Sequence, residues 1–174
     1  MSQNQDTHTT RTDQLTFQNP VTRYPAIEPP VQHQPEPGLG ADLEPRADVG
    51  EHSYRGTGRL TGRRALITGG DSGIGAAVAI AFAREGADVA IHHLPAEEAD
   101  ARAVAEIVER EGRTVALLPG DLTDRTFCEG LADTAAEQLG GVDILVNNAG
   151  KQVVAPDLED LPDAQLTDTY GGNI

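Results

Sequence analysis

Short apolar segments alternate with amphipathic segments between residues 64 and 150, and this alternation restricts the fold more than any other feature of the sequence. The apolar segments are typical of strands buried on both faces, as in a parallel sheet. The intervening segments repeat apolar residues at the spacing of a helix that packs against a sheet. Strands that alternate with helices form βαβ units, whose right-handed crossovers give a doubly wound sheet. The sequence therefore predicts an α/β fold.

Each of the three predicted helices places its apolar residues on one face. Gly86 ends the first helix and Gly112 the second, and Gly140 follows the third, as expected because glycine is common just past a helix end. The fourth predicted strand should lie beside the first with its outer edge uncovered. The residues expected to face the sheet are Ile74, Val78, Ala81, Phe82, Ala101, Val104, Ile107, Val108, Phe127, Leu131, Ala135 and Leu139.

The first third of the chain has a different composition. Residues 1–57 are rich in Gln, Pro, Thr and acidic side chains and show no apolar period. Such a segment cannot bury enough apolar surface to offset its ordering entropy, so it should be disordered or draped over a larger body. The sequence thus divides into an extension, residues 1–57, and a partial domain, residues 58–174.

Charge and cysteine content exclude several classes of function. The net charge is −15, with 28 acidic against 13 basic residues, so nucleic acid and anionic membranes are not expected partners. The single cysteine, Cys128, excludes an intrachain disulfide, and its helical position beside Leu131 predicts a buried thiol. No apolar segment is long enough for a membrane span or a leader. We expect a cytoplasmic protein.

A glycine-rich loop, "LITGGDSGIG" at residues 66–75, joins the first predicted strand to the first helix. Gly69 would allow the tight turn, Gly73 would let the backbone approach a pyrophosphate, and Gly75 would let the helix pack closely on the strand. Free N–H groups at the helix start attract anions. The loop lacks the Gly-Lys-Ser/Thr ending of a nucleotide-hydrolysing loop. It indicates a Rossmann-like dinucleotide site, and a plain structural turn is the alternative.

Two motifs give the chain a family resemblance. Residues 68–75 resemble the Thr-Gly-x-x-x-Gly-x-Gly loop of short-chain dehydrogenases/reductases, and residues 147–150 resemble their Asn-Asn-Ala-Gly motif. "GDLTD" is similar to the segment whose acidic residue meets the adenine ring. The resemblance implies an NAD(P)-dependent oxidoreductase that transfers hydride between nicotinamide and a small carbonyl or alcohol substrate. The implied cofactor-binding residues are Gly69, Ser72, Gly73, Ile74, Gly75, Asp121, Leu122, Asn148, Ala149 and Gly150.

The extension narrows this resemblance. Its segments "RYP", "PEPGL" and "GEHSYRGTGRL" are similar to the proline-rich extension of a bacterial subgroup that includes general-stress dehydrogenases and an aldehyde reductase. This implies that the extension packs as an arm on the domain or on a neighbouring subunit, whereas its composition predicts disorder. Both interpretations stay open from the sequence. The resemblance also implies that full-length relatives are homo-oligomers.

The choice between NAD and NADP stays open as well. An acidic residue about 20 positions after the glycines would favour NAD, but Pro95 stands there. A basic residue at position 72 would favour NADP, but Ser72 stands there. His92 and His93 end the second strand, and one of them at the cofactor's 2′-phosphate is one interpretation. Because adjacent strand residues point to opposite faces, the favoured interpretation is that one is packed and one exposed. No metal site is expected. The predicted cofactor is NAD(P).

The family's catalytic groups are a tyrosine with a lysine four residues later, a serine and an asparagine. None of the three tyrosines, Tyr24, Tyr54 and Tyr170, is followed by a lysine at that spacing, and no serine occurs after Ser72. Only Asn173 matches a catalytic position. The neighbouring Gly171-Gly172 pair is expected to weaken the local helix that would hold it.

Two functional interpretations follow. In the first, the chain is a C-terminally truncated form of an NAD(P)-dependent short-chain oxidoreductase, holding four of about six strands and inactive alone. In the second, it is a catalytically dead dinucleotide-binding remnant or an interaction module. Both predict a dinucleotide site without turnover in these 174 residues.

Overall fold

The computed structural model describes residues 13–23, 26–152, 157, 159 and 161–173, and within these ranges the chain forms one open sheet with flanking helices. Its strands and α-helices, in chain order, are β1 (Arg64–Thr68), α1 (Gly73–Arg84), β2 (Asp88–His93), α2 (Glu98–Arg110), β3 (Val115–Pro119), α3 (Arg125–Leu139), β4 (Ile144–Val146) and α4 (Asp163–Asn173).

The four strands are parallel and lie in the order β3-β2-β1-β4. The predicted doubly wound, Rossmann-like arrangement is therefore confirmed, including the position of β4 beside β1. Helices α1 and α2 pack on one face of the sheet and α3 on the other. The first face buries Ala65, Ile67, Val89 and Ile91, and the second buries Leu66, Ala90, Ala116 and Leu118.

The predicted apolar face of α1 was partly wrong. Apart from Ile80, its buried residues are small, including Ala76, Ala79 and Ala83, which lets the helix lie close to the strands. Ile74 is 77% exposed. It lies in the first helical turn, where the helix begins beyond the ends of the strands and borders a cleft instead of the sheet. Val78 is only partly buried.

The predicted burial of Cys128 was also wrong, because this residue is exposed. It occupies the first turn of α3, where the neighbouring Phe127 fills the space above the sheet. The Phe127 ring lies 5.6 Å from that of His92. Further along the helix, Leu131 and Ala135 are buried as predicted.

The extension packs against the domain, which favours an arm over disorder for its described residues; Tyr24 and Pro25 of "RYP" lie outside them. We call residues 26–57 the arm. Its backbone N–H at Gly40 donates to Asp100 at 2.6 Å. Near its end, Arg84 of α1 donates to three arm carbonyls. A side chain at Gly56 would place Cβ 1.8 Å from the Arg84 carbonyl oxygen, so the backbones are in direct contact.

Helix α4 continues through Gly171 and Gly172, so the expected weakening at this pair does not interrupt the helix. The Asn173 side chain bonds the Thr169 carbonyl one turn earlier at 2.6 Å. This bond supports the last turn of the helix where the glycines contribute no side chain. In the described ranges, no helix has the length and apolar character that crossing a membrane requires.

Candidate functional site

A cleft of about 580 Å³ opens at the carboxyl ends of the strands. Strand β1 lies between β2 and β4, so the chain crosses to opposite sides of β1 at this edge, which is where open α/β sheets bind ligands. The lining residues are Gly69, Asp71, Ser72, Gly73, Ile74, His92, His93, Leu94, Glu97, Asp121, Leu122, Thr123, Asn148, Ala149, Gly150, Lys151, Asp168 and Gly172.

The glycine-rich loop uses its glycines in three different ways. Gly69 turns the chain with φ +60°. At Gly75 an added Cβ would lie 1.9 Å from the Gly69 carbonyl oxygen, so only glycine lets α1 approach the loop this closely. At Gly73, with φ +50°, an added Cβ would meet nothing within 4 Å and would occupy open space at the cleft. That open space leaves room for a ligand to approach the backbone.

The start of α1 can accept an anion at this point. Ser72 is the N-cap residue, yet its side chain makes no capping hydrogen bond, and the first turn holds no acidic residue. The N–H groups of the first turn therefore have no partner within the helix or from the cap. Together with the positive end of the helix dipole, these groups suit a phosphate.

Asn148 joins the end of β4 to the loop. Its Nδ2 donates to the carbonyls of Thr68 at 3.0 Å and Gly69 at 2.9 Å. In return, the Thr68 hydroxyl accepts the backbone N–H groups of Asn148 and Ala149, each at 3.0 Å. These bonds hold Ala149 and Gly150 against the glycine-rich loop. Asn148 therefore acts on the cleft by fixing its floor.

Both histidines at the end of β2 are buried, which corrects the prediction that one is exposed: His92 is 3% and His93 0% exposed. The strand runs between α1 and α3, so side chains on either face are covered. His92 Nε2 lies 3.2 Å from the Gly120 carbonyl, while Nδ1 accepts the Gly69 N–H at 3.3 Å. Together these contacts require the Nε2–H tautomer. Burial lowers the pKa of His92 and favours this neutral form.

Carboxylates dominate the charge of the cleft. Burial raises the pKa of Asp71. The pKa of Glu97 is also raised, first by burial and then by the negative charge of the nearby Asp71. Asp121 differs because it accepts the Thr123 N–H at 2.9 Å and the Thr123 hydroxyl at 2.8 Å, which lowers its pKa. Its expected role at the adenine ring stays a prediction, as does that of Leu122 beside it.

Asn173, the predicted catalytic residue, is bonded to the backbone next to the cleft. Its Oδ1 accepts the Lys151 N–H at 3.1 Å and its Nδ2 donates to the Lys151 carbonyl at 2.7 Å. The side chain thus holds the segment after Gly150 in place, and it does not line the cleft. A catalytic role for Asn173 stays a prediction.

The structure brings the predicted cofactor-binding residues to one cleft, except that Gly75 lies beneath it. The lining residues that sequence reasoning missed include Asp71, Lys151 and Asp168. The signal for Lys151 was available, because it directly follows the Asn-Asn-Ala-Gly motif. Among the residues described, no cluster of three or more metal-ligating side chains occurs.

Comparison with known proteins agrees with this architecture. Residues 63–174 match the family described as short chain dehydrogenase. The chain is 51% identical over 156 residues to an uncharacterized oxidoreductase, YhxD, of Bacillus subtilis, and 52% over 158 residues to YghA of Escherichia coli. These alignments cover 90% and 91% of this chain but 52% and 54% of the relatives. General stress protein 39 of Bacillus subtilis is 39% identical over 88% of this chain and 54% of its own.

Two similar solved structures contain a nicotinamide cofactor. A short chain dehydrogenase of Burkholderia cenocepacia in complex with NADP matches with TM-score 0.63 and 43% identity, covering 67% of this chain and 46% of its own. Carveol dehydrogenase of Mycobacterium avium in complex with NAD matches with TM-score 0.61 and 29% identity. The match covers 66% of this chain and 45% of the carveol dehydrogenase chain. The chain spans about half the length of the relatives it matches.

Proposed function

This chain belongs to the short-chain dehydrogenase family, and from that premise we propose that it forms the dinucleotide-binding part of an NAD(P)-dependent oxidoreductase. The bound nicotinamide would supply the hydride exchanged with a carbonyl or alcohol carbon. The activity belongs to the whole family fold, of which these residues correspond to about half.

The open backbone at Gly73, at the start of α1, carries the proposal. A phosphate can approach there because no side chain occupies the space. Ser72 and Ile74 flank that position, and Ala149 and Gly150 line the same cleft. The adenosine end would lie toward β2 and β3, where Asp121 and Leu122 border the cleft, and the nicotinamide end toward Gly150.

The proposal can be tested by measuring NADH and NADPH binding by calorimetry. We expect Gly73→Ala to weaken both ligands about tenfold or more, because its Cβ occupies the space a phosphate needs and a lost charged hydrogen bond is worth about 1.5–3 kcal/mol. Gly112→Ala is the matched control. Gly112 also has positive φ (+72°) and an open Cβ direction, but it lies at the far end of α2. If Gly73→Ala and Gly112→Ala bind NADH and NADPH equally well, the proposal is contradicted.

The protein is proposed to bind the dinucleotide without turning it over. A tyrosine needs a neighbouring cation to lower its pKa from about 10 toward neutral pH. Within the 174 residues, no tyrosine has a lysine four positions later. We therefore expect no oxidation of NADPH with any aldehyde or ketone by the purified chain. Turnover in a preparation free of other dehydrogenases would show that another group transfers the proton.

A further inference from the structure

Lys151 is the only lysine of the chain and directly follows Gly150. Among the described residues that line the cleft, it is the one Lys or Arg. The other ionisable lining groups are two buried histidines and several carboxylates, including Asp121 and Asp168. The pKa of Lys151 is raised mainly by Glu36 and to a smaller extent by Asp168 and Asp121. A polyanionic ligand that enters this cleft would therefore meet a single permanent positive charge.

That charge is paired with the arm. Lys151 Nζ lies 2.8 Å from Glu36 Oε2, although the two residues are 115 positions apart. The side chains are 41% and 69% exposed. Because water screens and competes for exposed charges, such a pair is weak and exchanges readily with another anion.

The side chain of Lys151 can exchange partners, whereas its backbone is held in place. Its backbone N–H and carbonyl are both bonded to the side chain of Asn173. Gly150 on one side and Gly172 on the other contribute no side chain that could obstruct it. The ammonium group can thus change partners while the segment that carries it stays fixed.

We propose that Lys151 is a binding residue for the diphosphate of the dinucleotide, and that Glu36 of the arm competes with the ligand for it. The inference rests on the function proposed above. It assigns the arm a role at the site: while Glu36 holds the ammonium group, the cleft is more acidic and the diphosphate binds less tightly. Ligand binding releases the Glu36 contact.

Binding of three probes to the full chain tests this. ADP-ribose and NADH carry a diphosphate, whereas adenosine does not. Lys151→Gln should weaken ADP-ribose and NADH about tenfold and leave adenosine unchanged, since a charged hydrogen bond is lost. Glu36→Gln should tighten the two diphosphate ligands by up to about fivefold. Glu44→Gln removes an equal charge from the arm away from Lys151 and should change nothing.

The outcomes separate the two proposals. If the unchanged chain binds neither ADP-ribose nor NADH, the proposed function fails and this inference with it. If it binds them and Lys151→Gln binds them equally well, only the inference fails. An equal loss of adenosine affinity would likewise overturn it, because Lys151 would then shape the cleft instead of binding the diphosphate. Loss of NADH affinity alone, with ADP-ribose unchanged, would place the contact at the nicotinamide end and also overturn it.

Chemical labelling gives an independent test, because Lys151 and the chain's α-amino group are the only amines. Reductive methylation followed by mass spectrometry should modify Lys151 faster in Glu36→Gln than in the unchanged chain. Saturating ADP-ribose should slow labelling of Lys151 and leave the α-amino group, the internal reference, unchanged. Identical Lys151 labelling with and without the ligand would overturn the inference.

Discussion

At the scale of single residues, the site depends on Gly75 having no side chain. The contact between α1 and the loop leaves no room for a Cβ, which would lie 1.9 Å from the Gly69 carbonyl oxygen and 2.6 Å from Asn148 Nδ2. The same Asn148 amide holds the Gly69 carbonyl at 2.9 Å. The loop, the helix start and the end of β4 therefore form one rigid unit that a single methyl group would separate.

We expect Gly75→Ala to lower the free energy of unfolding by about 1–3 kcal/mol, the usual cost of overpacking, and to abolish dinucleotide binding. Gly130→Ala in α3 is the control, because its Cβ would meet nothing within 4 Å. That change should stabilise the protein by about 0.5–1 kcal/mol, since alanine favours the helix over glycine. Urea unfolding of both variants measures the difference. A Gly75→Ala protein as stable as the control would contradict the packing argument.

At the scale of elements, Glu85 joins the end of α1 to the last residues of the arm and to Arg59 just after it. This buried carboxylate, at the end of α1, accepts hydrogen bonds from the Tyr54 hydroxyl at 2.5 Å and from the backbone N–H groups of Thr57 and Arg59, each at 2.9 Å. The Arg59 guanidinium adds an ion pair at 2.6 Å. Arg59 first, then Tyr54, hold the pKa of Glu85 well below its usual range.

A lowered pKa means that Glu85 stabilises the folded chain above its unfolded pKa, near 4.5, and that this stability is lost as the pH falls below that value. We expect Glu85→Gln to lower the melting temperature at pH 7. The glutamine NH₂ group would face the N–H and O–H groups of Tyr54, Thr57 and Arg59, which need an acceptor. The difference in melting temperature between Glu85→Gln and the unchanged chain should shrink as the pH falls from about 5 to 3. Glu129→Gln, which removes an exposed pair with Arg125, should have almost no effect at either pH. A difference that stays constant with pH would refute the assignment.

At the scale of the whole molecule, the sheet is covered unevenly. Strands β1 and β2 are buried on both faces, but β4 pairs only with β1 within the described ranges. Leu145 of β4 lies in register with the buried Leu66 yet is 55% exposed. An apolar edge with unpaired backbone groups is a site for association with another strand.

We expect Leu145→Lys to reduce concentration-dependent association, measured by light scattering, because a charge on an edge strand opposes pairing. Its unfolding free energy should change by no more than about 0.5 kcal/mol, as is usual for exposed positions. Val31→Lys in the arm adds the same charge at an exposed residue outside the sheet. If Val31→Lys reduces association equally, net charge and not the edge is responsible.

The sequence by itself determined the parallel α/β architecture, the order of its elements and the position of Gly69 and Gly73 at the cleft, because apolar period and glycine spacing are local properties of the chain. The apolar period wrongly placed Ile74 against the sheet, and strand alternation wrongly predicted that one of His92 and His93 is exposed, since burial depends on where neighbouring elements end. Nor did the sequence choose between a disordered extension and an arm. The Glu36 to Lys151 pair joins residues 115 positions apart, and no local pattern specifies such a contact. Only the tertiary structure decides it, because the folded chain brings the segment after β4 next to the arm.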